Sequence, residues 1–347
     1  MNFSNSYLFY PNNRALERAI ASSIGMLSAE LAKAATPDTK GTTPDNFLHT
    51  RGNYEQYRFS SNILESARQA LEGSLTNGYR NREPFAWAEA QQSLGSILAA
   101  MGQQHRDVEL FEKAIQSFNN ALEKFNRKKS PRDWATTQYN LGTAKQALGR
   151  QQDDSKLLTA SIDAYKSALL EWTRKETPEQ WASAMHQLGA TFHTYGRLLK
   201  DNRTFQQSVV VYKNALAELD ADNYAFELAA THNNCGAALH NLAEAEENSD
   251  RLEEAIRSYE TALLVCMEQQ LPIHLAVLCR VNKFTARLVL AELTKDASIA
   301  DEVADAFELI IECFPHALQP LCLKHCEEQM NKAKSLVLAI NSQAINP

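Results

Sequence analysis

Glycine and proline are scarce, 12 and 10 among 347 residues, which is too few for the many turns of an all-β protein of this length. No apolar run approaches the ~18 residues that a membrane-crossing helix needs, so no membrane partner is expected. The opening stretch from Met1 to Asn13 lacks the basic start and apolar run of a secretory signal, which leads to the expectation of a cytoplasmic protein. A basic excess is missing too. The net charge of −7 argues against a phosphate-dominated nucleic-acid binder, and the short basic cluster Arg127-Lys128-Lys129 falls at an expected helix end. The six cysteines, at 235, 266, 279, 313, 322 and 326, crowd into the C-terminal third, unlike the distributed framework of a small secreted fold. Reduced thiols in a helical core are expected instead. P-loop, G-x-S-x-G, HExxH and dinucleotide-binding patterns are all absent, so neither enzymatic activity nor a cofactor is expected.

What is present favours helix. The chain is 44% hydrophobic and rich in Ala, Leu, Glu and Gln, which helices tolerate well. Its main feature is self-similarity at a fixed period. Trp87, Trp134 and Trp181 recur every 47 residues, and Leu228 and Leu275 continue the series. Each precedes an alanine: Ala88, Ala135, Ala182, Ala229 and Ala276. Three residues ahead stand Pro84, Pro131, Pro178, Ala225 and Pro272, placed for a first helical turn, where the missing N–H has no intrahelical partner to lose.

Inside these A helices a first glycine recurs at Gly95, Gly142, Gly189 and Gly236, with Lys283 breaking the series. It predicts close approach of a neighbouring helix. A second follows at Gly102, Gly149 and Gly196, with Ala243 in the fourth unit, and predicts a left-handed helix stop. After a polar stretch the B helices repeat small, aromatic and small residues: Ala114, Phe118, Ala121; Ser161, Tyr165, Ala168; Ser208, Tyr212, Ala215; Ala255, Tyr259, Ala262. One face of each B helix is thereby shaped to nest against its A helix, giving a helical hairpin.

These residues resemble the tetratricopeptide repeat family, in which a Leu-Gly step, a second glycine and Ala-x3-aromatic-x2-Ala mark each hairpin. Leu94-Gly95, Leu141-Gly142 and Leu188-Gly189 match, and Cys235-Gly236 departs mildly. The family unit has about 34 residues, so this chain is similar to a long variety found in bacteria. The resemblance spans about residues 84 to 290 and implies an all-α, right-handed superhelical solenoid of antiparallel hairpins. Five hairpins are expected over 77–314, with Ile299 to Phe314 resembling Leu110 to Phe125 after one inserted residue. A helical cap region is expected over 1–76, made of helices at Arg14 to Ala35 and Tyr54 to Leu75 around a mobile loop at 36–52, and a capping helix with its tail over 315–347.

The resemblance also implies that A helices line a concave groove. Positions two turns apart on the A helices share a face: Gln92 and Ala99, Tyr139 and Gln146, His186 and His193, Asn233 and His240, Arg280 and Arg287. Asn140, Gln187, Asn234 and Asn241 lie beside them. A polar face of this kind is expected to be wet and to take a protein or peptide segment through amides, with a preference for an acidic partner near Arg280 and Arg287. In one branch of the family a Lys, Asn and Arg set holds a chaperone's C-terminal carboxylate. Of the corresponding Gln92, Ser96, Asn140, Ser183 and Gln187 only Asn140 agrees, so that role is not expected.

The function that follows is a scaffold or adaptor for another protein. A regulator responsive to a short signalling peptide, with residues 1–75 as output module, is one alternative, and a metal-dependent hydrolase built on His186, His193 and His240 is another. Three imidazoles would have to meet within ~2.0 Å of one ion although adjacent helices stand ~8–10 Å apart, so no metal is expected there. The group Cys313, His316, Cys322, His325 and Cys326 lacks paired CxxC knuckles, and packing is its expected role. The three tryptophans are expected to pack between repeats.

Overall fold

The computed structural model describes residues 61–75, 79–314 and 320–345. Among the described residues there are thirteen helices and no strand. The helix expected at Arg14 to Ala35 and the loop at 36–52 lie outside them, and of the helix expected at Tyr54 to Leu75 the span Ser61–Ser74 is described. The chain divides into two compact units, one holding the described residues up to Thr177 and the other those from Pro178 onward.

The first unit opens with α1 (Ser61–Ser74) and the short α2 (Tyr79–Arg82). Two hairpins follow: α3 (Pro84–His105) with α4 (Val108–Leu122), and α5 (Pro131–Gln152) with α6 (Ser155–Ala168). The second unit contains α7 (Pro178–Leu199) with α8 (Asn202–Leu216), α9 (Ala221–Glu246) with α10 (Ser249–Glu268), and α11 (Ile273–Thr294) with α12 (Ala297–Cys313), then α13 (Pro320–Ile345). Within each unit helices pack on their sequence neighbours, as in an α-solenoid of helical hairpins.

The A helices start as their prolines require. Glu83 and Ser130, just ahead of Pro84 and Pro131, hold extended-side conformations at φ −132°, ψ 70° and φ −140°, ψ 62°. In the fourth unit alanine replaces proline, yet the same break persists. Tyr224 interrupts α9 at φ −132°, ψ 34°, so the helix in register with the others starts at Ala225. The boundary is therefore held by the packing around it as well as by proline.

The first glycine behaves as expected. Phe118, Tyr165, Tyr212 and Tyr259 are wholly buried, and a Cβ built on the facing Gly95, Gly142, Gly189 or Gly236 would come within 3.0 Å of the ring. Serine at the small position adds a bond: Ser161 Oγ and Ser208 Oγ each donate to the carbonyl of the facing glycine at 2.8 Å.

The second glycine behaves differently. Gly102, Gly149 and Gly196 lie within their helices, and the left-handed residues that end the A helices are Arg106, Asp153, Lys200, Glu247 and Lys295. The glycine instead leaves room for the first turn of the B helix: a Cβ on Gly102 would sit 3.2 Å from the Phe111 side chain. Its carbonyl accepts from the Asp107 amide at 3.0 Å, and Gly149 and Gly196 accept in the same way from Asp154 and Asp201.

Those aspartates also start the B helices. Asp107, Asp154, Asp201, Asn248 and Asp296 each accept from one or two amides of the turn they open. One residue thus closes an A helix with its own amide and caps a B helix with its carboxylate or amide oxygen. The spacing of these caps is 47 until the last interval, Asn248 to Asp296, which is 48.

The inserted residue lies ahead of α11. From Ala225 to Ile273 the helix starts are already 48 apart, as are the left-handed residues Glu247 and Lys295. Pro272 is consequently the residue before the helix, not its first residue. The structural counterpart of Gly236 becomes Phe284, whose ring meets Phe307 at a centroid distance of 6.3 Å, while Lys283 pairs with Glu260 at 2.9 Å. At the end of the unit α13 packs Cys326 and Ala333 inward and turns Lys324, Glu328, Asn331 and Lys334 to solvent.

Candidate functional site

The polar A-helix positions are interior. Tyr139, Asn140, Gln146, His186, Gln187, His193, Asn233, His240 and Asn241 are buried, none more than 5% exposed. Gln92, Arg280 and Arg287 are half-buried. The expectation of a wet stripe is corrected accordingly. From Ala229 to Ala243 in α9 only His232 escapes full burial. Polar side chains survive there because many of them bond across helices instead of to water.

The one-residue shift explains why the two arginines differ from the rest. Counting from the observed start of α11, the counterparts of Asn233 and His240 are Val281 and Leu288, both wholly buried. Arg280 and Arg287 stand one position off the stripe. Arg287 pairs with Glu302 of α12, and Arg280 lies 5.8 Å from the centroid of the Phe314 ring.

A directed chain of hydrogen bonds links the three A helices of the second unit. Asn282 Nδ2 donates to Asn233 Oδ1 at 2.9 Å, and Asn233 Nδ2 donates to Asn234 Oδ1 at 3.1 Å. Asn234 Nδ2 faces His186 Nε2 at 3.3 Å, and His186 Nδ1 faces Thr231 Oγ1 at 2.7 Å. The Thr231 hydroxyl gives its hydrogen to the Glu227 carbonyl at 2.6 Å, so it must accept from His186. His186 is therefore neutral, with its proton on Nδ1 and a lone pair on Nε2 for Asn234.

A second contact lies two helical turns along. Asn241 Nδ2 donates both to the Ala237 carbonyl, at 2.8 Å, and to His193 Nε2, at 2.9 Å. This places the His193 proton on Nδ1. His193 Nδ1 and Asn241 Oδ1 are buried without a hydrogen-bond partner. Burial pushes the pKa of His193 and of His240 from 6.5 to about 3, with Arg197 and His240 adding to the shift at His193 and Lys332 at His240.

In the first unit the same positions form an aromatic and amide cluster. The Tyr139 ring lies 5.0 Å from that of Trp172 and 5.5 Å from that of Tyr165. Tyr165 Oη donates to Gln146 Oε1 at 3.1 Å. Both polar side-chain atoms of Asn140 are buried without a partner. The backbone carbonyl of Gln92 accepts from Ser96 Oγ at 3.0 Å.

Among the described residues no three of His, Cys, Asp and Glu gather where an ion could be held. Of the C-terminal Cys/His group, His316 is outside the described residues and the side chain of Cys322 is not described. Cys326 is buried in the α13 core, Cys313 is exposed, and His325 Nε2 lies 3.2 Å from Thr285 Oγ1. Trp87 is buried beside Ala88, Ala121 and Phe125, with Trp134 packed against them, in line with a packing role. Among the described residues no helix is long and apolar enough to cross a membrane.

Two features escaped the sequence reading. The B-helix caps are visible only as an Asp or Asn recurring in phase, at 107, 154, 201 and 248, within the polar stretch between the helices. The residue inserted before Ile299 to Phe314 left no sign in the Pro272 spacing, and its place ahead of α11 comes from the structure. No curated protein matches the chain. Residues 236–265, which run from the first glycine of α9 through most of α10, match the Tetratricopeptide repeat family.

Proposed function

We propose that the protein is a non-catalytic, cytoplasmic scaffold that holds a segment of another protein along its A helices. The observation that carries this reading is the stack of helical hairpins together with the tetratricopeptide match at 236–265, since such repeats serve protein–protein interaction. Fold alone does not name a partner, so the contact surface is argued from the side chains. The buried positions lie inside the packed hairpins of their own unit, Tyr139, Asn140 and Gln146 in the first and His186, Gln187, His193, Asn233, His240 and Asn241 in the second. In the second unit the half-buried Arg280 and Arg287 form the contact positions, and in the first unit Gln92 is the half-buried position of the series.

Of these, Arg280 is the anchor for an acidic segment. Its guanidinium contacts the Phe314 ring, whereas Arg287 and Lys283 are already paired with Glu302 and Glu260. A carboxylate would complete its charge and hydrogen bonding together. Crosslinking mass spectrometry of the full chain in its native cell tests this, with Arg280→Glu and Gln92→Glu beside the unaltered protein. Crosslinks to one protein, lost on charge reversal at Arg280, are expected. Crosslinks that persist unchanged in both variants would remove the contact assignment.

A further inference from the structure

We propose that the unit from Pro178 onward carries an acid-operated release: proton uptake by His193 and His240 breaks the polar stripe joining α7 to α9 and opens these helices, while the described hairpins of the first unit hold. This does not depend on any partner.

The geometry at His193 leaves no way to absorb a second proton. Its Nε2 accepts from Asn241 Nδ2 at 2.9 Å, and the same Nδ2 donates to the Ala237 carbonyl at 2.8 Å. A hydrogen added to Nε2 would face another donor. Turning the Asn241 amide over would offer Oδ1 to the imidazolium, but the same oxygen would then face the Ala237 carbonyl, acceptor against acceptor. Either arrangement loses a buried hydrogen bond, and neither lets water reach the charge.

At His193 the charged surroundings oppose protonation as well. Facing His193 are Arg197 on its own helix and His240 on α9, with the Phe205 ring of α8 at a centroid distance of 5.6 Å. Around His240 stand Glu244 on its own helix, with Oε1 3.9 Å from Nε2, and Lys332 from α13, itself paired with Glu292 of α11 at 2.7 Å, so burial is the main obstacle to its charging. Charging one imidazole repels the charging of the other.

The direction of the pH effect follows from linkage. Folding lowers the pKa of both histidines from 6.5 to about 3, so between these values the open chain binds more protons than the folded one. Above pH 6.5 neither group contributes. Stability falls as the pH drops below 6.5 and continues to fall toward 3. At pH 5 each histidine raises the opening constant roughly 30-fold, and the two together about 10³-fold. His232, lowered to about 4 by burial, adds to the same response. Among the described residues of the first unit the one histidine is the exposed His105 at the end of α3, so that unit lacks the trigger.

Hydrogen-exchange mass spectrometry on the full chain at pH 7.5, 6.5, 5.5 and 5.0, corrected for intrinsic exchange, tests the idea. Peptides of α7 and α9 should lose protection progressively below pH 6.5 while those of α3 to α6 keep theirs. The His193→Gln/His240→Gln double variant, with side chains that cannot ionise, should lose most of this response. Equal losses in both units, unchanged protection of α7 and α9 at pH 5.0, or an undiminished acid response in the variant would each overturn the proposal. Should the double variant not fold at pH 7.5, the comparison of the two units in the unaltered chain decides the matter alone.

Discussion

A Cβ added to Gly189 would lie 2.8 Å from Cε1 of the buried Tyr212 ring, closer than side-chain carbons normally approach. Three other hairpins repeat the contact, so the distance between A and B helices is set by one missing methyl group. Gly189→Ala should therefore destabilise the second unit by about 1–3 kcal/mol through overpacking. Gly73 provides the control, since nothing lies within 4 Å of a Cβ there. Gly73→Ala should stabilise α1 by up to ~1 kcal/mol. Urea unfolding of the two variants measures both effects, and a neutral result at Gly189 would show that the ring moves aside freely.

How far the chain could be read in advance follows from which interactions leave a periodic trace. Gly189 and Tyr212 were legible because close helix contact tolerates few residue types and so recurs in phase. The helix start at Ala225, after the break within α9, was legible only because other units supplied the register. Burial of His186 and Asn234 was not legible: a polar residue looks the same in sequence whether water or another side chain completes its hydrogen bonds. Arg280 and Arg287 were misplaced for a different reason. The extra residue precedes α11, and a shift of one position turns a helical side chain by ~100°, enough to move it off the buried face.

The bond between His193 and Asn241 should show strong coupling. Asn241→Leu removes the donor to His193 Nε2 and leaves a buried acceptor unpaired, at a cost of about 1–3 kcal/mol. His193→Leu alone leaves one Asn241 Nδ2 hydrogen unpaired, while the other still bonds the Ala237 carbonyl. The double variant should be less destabilised than the sum of the two by about 0.5 kcal/mol or more. A double-mutant cycle from urea denaturation gives the coupling directly, and strict additivity would mean that the bond is absent in solution.

The double role of the B-helix caps can be separated by substitution. Asp154 accepts from the Lys156 and Leu157 amides through its carboxylate, while its own amide donates to the Gly149 carbonyl at 2.9 Å. Asp154→Ala removes the first interaction and keeps the second, so it should cost about 1 kcal/mol. Asp154→Asn keeps a capping oxygen and should recover most of the loss. Thermal unfolding of the pair distinguishes capping from a nonspecific effect of charge, which would make the two variants equal.

Each A helix of the five hairpins ends on a residue other than glycine in the left-handed conformation, with φ between 51° and 55°. For a side chain bearing a Cβ that conformation costs ~1–2 kcal/mol, and here it recurs at every turn from A to B. It is tolerated because the next residues are fixed twice over, by the amide bond back to the helix and by the cap on the next one. Lys200 is exposed, so replacing it touches little else. Lys200→Gly should therefore raise stability by roughly 1 kcal/mol, with the gain reduced by the extra freedom glycine gives the unfolded chain. Lys200→Val should lower it, because a β-branched side chain is least suited to positive φ. If thermal unfolding ranks the three proteins in any other order, the turn between α7 and α8 is not held in the left-handed conformation in solution.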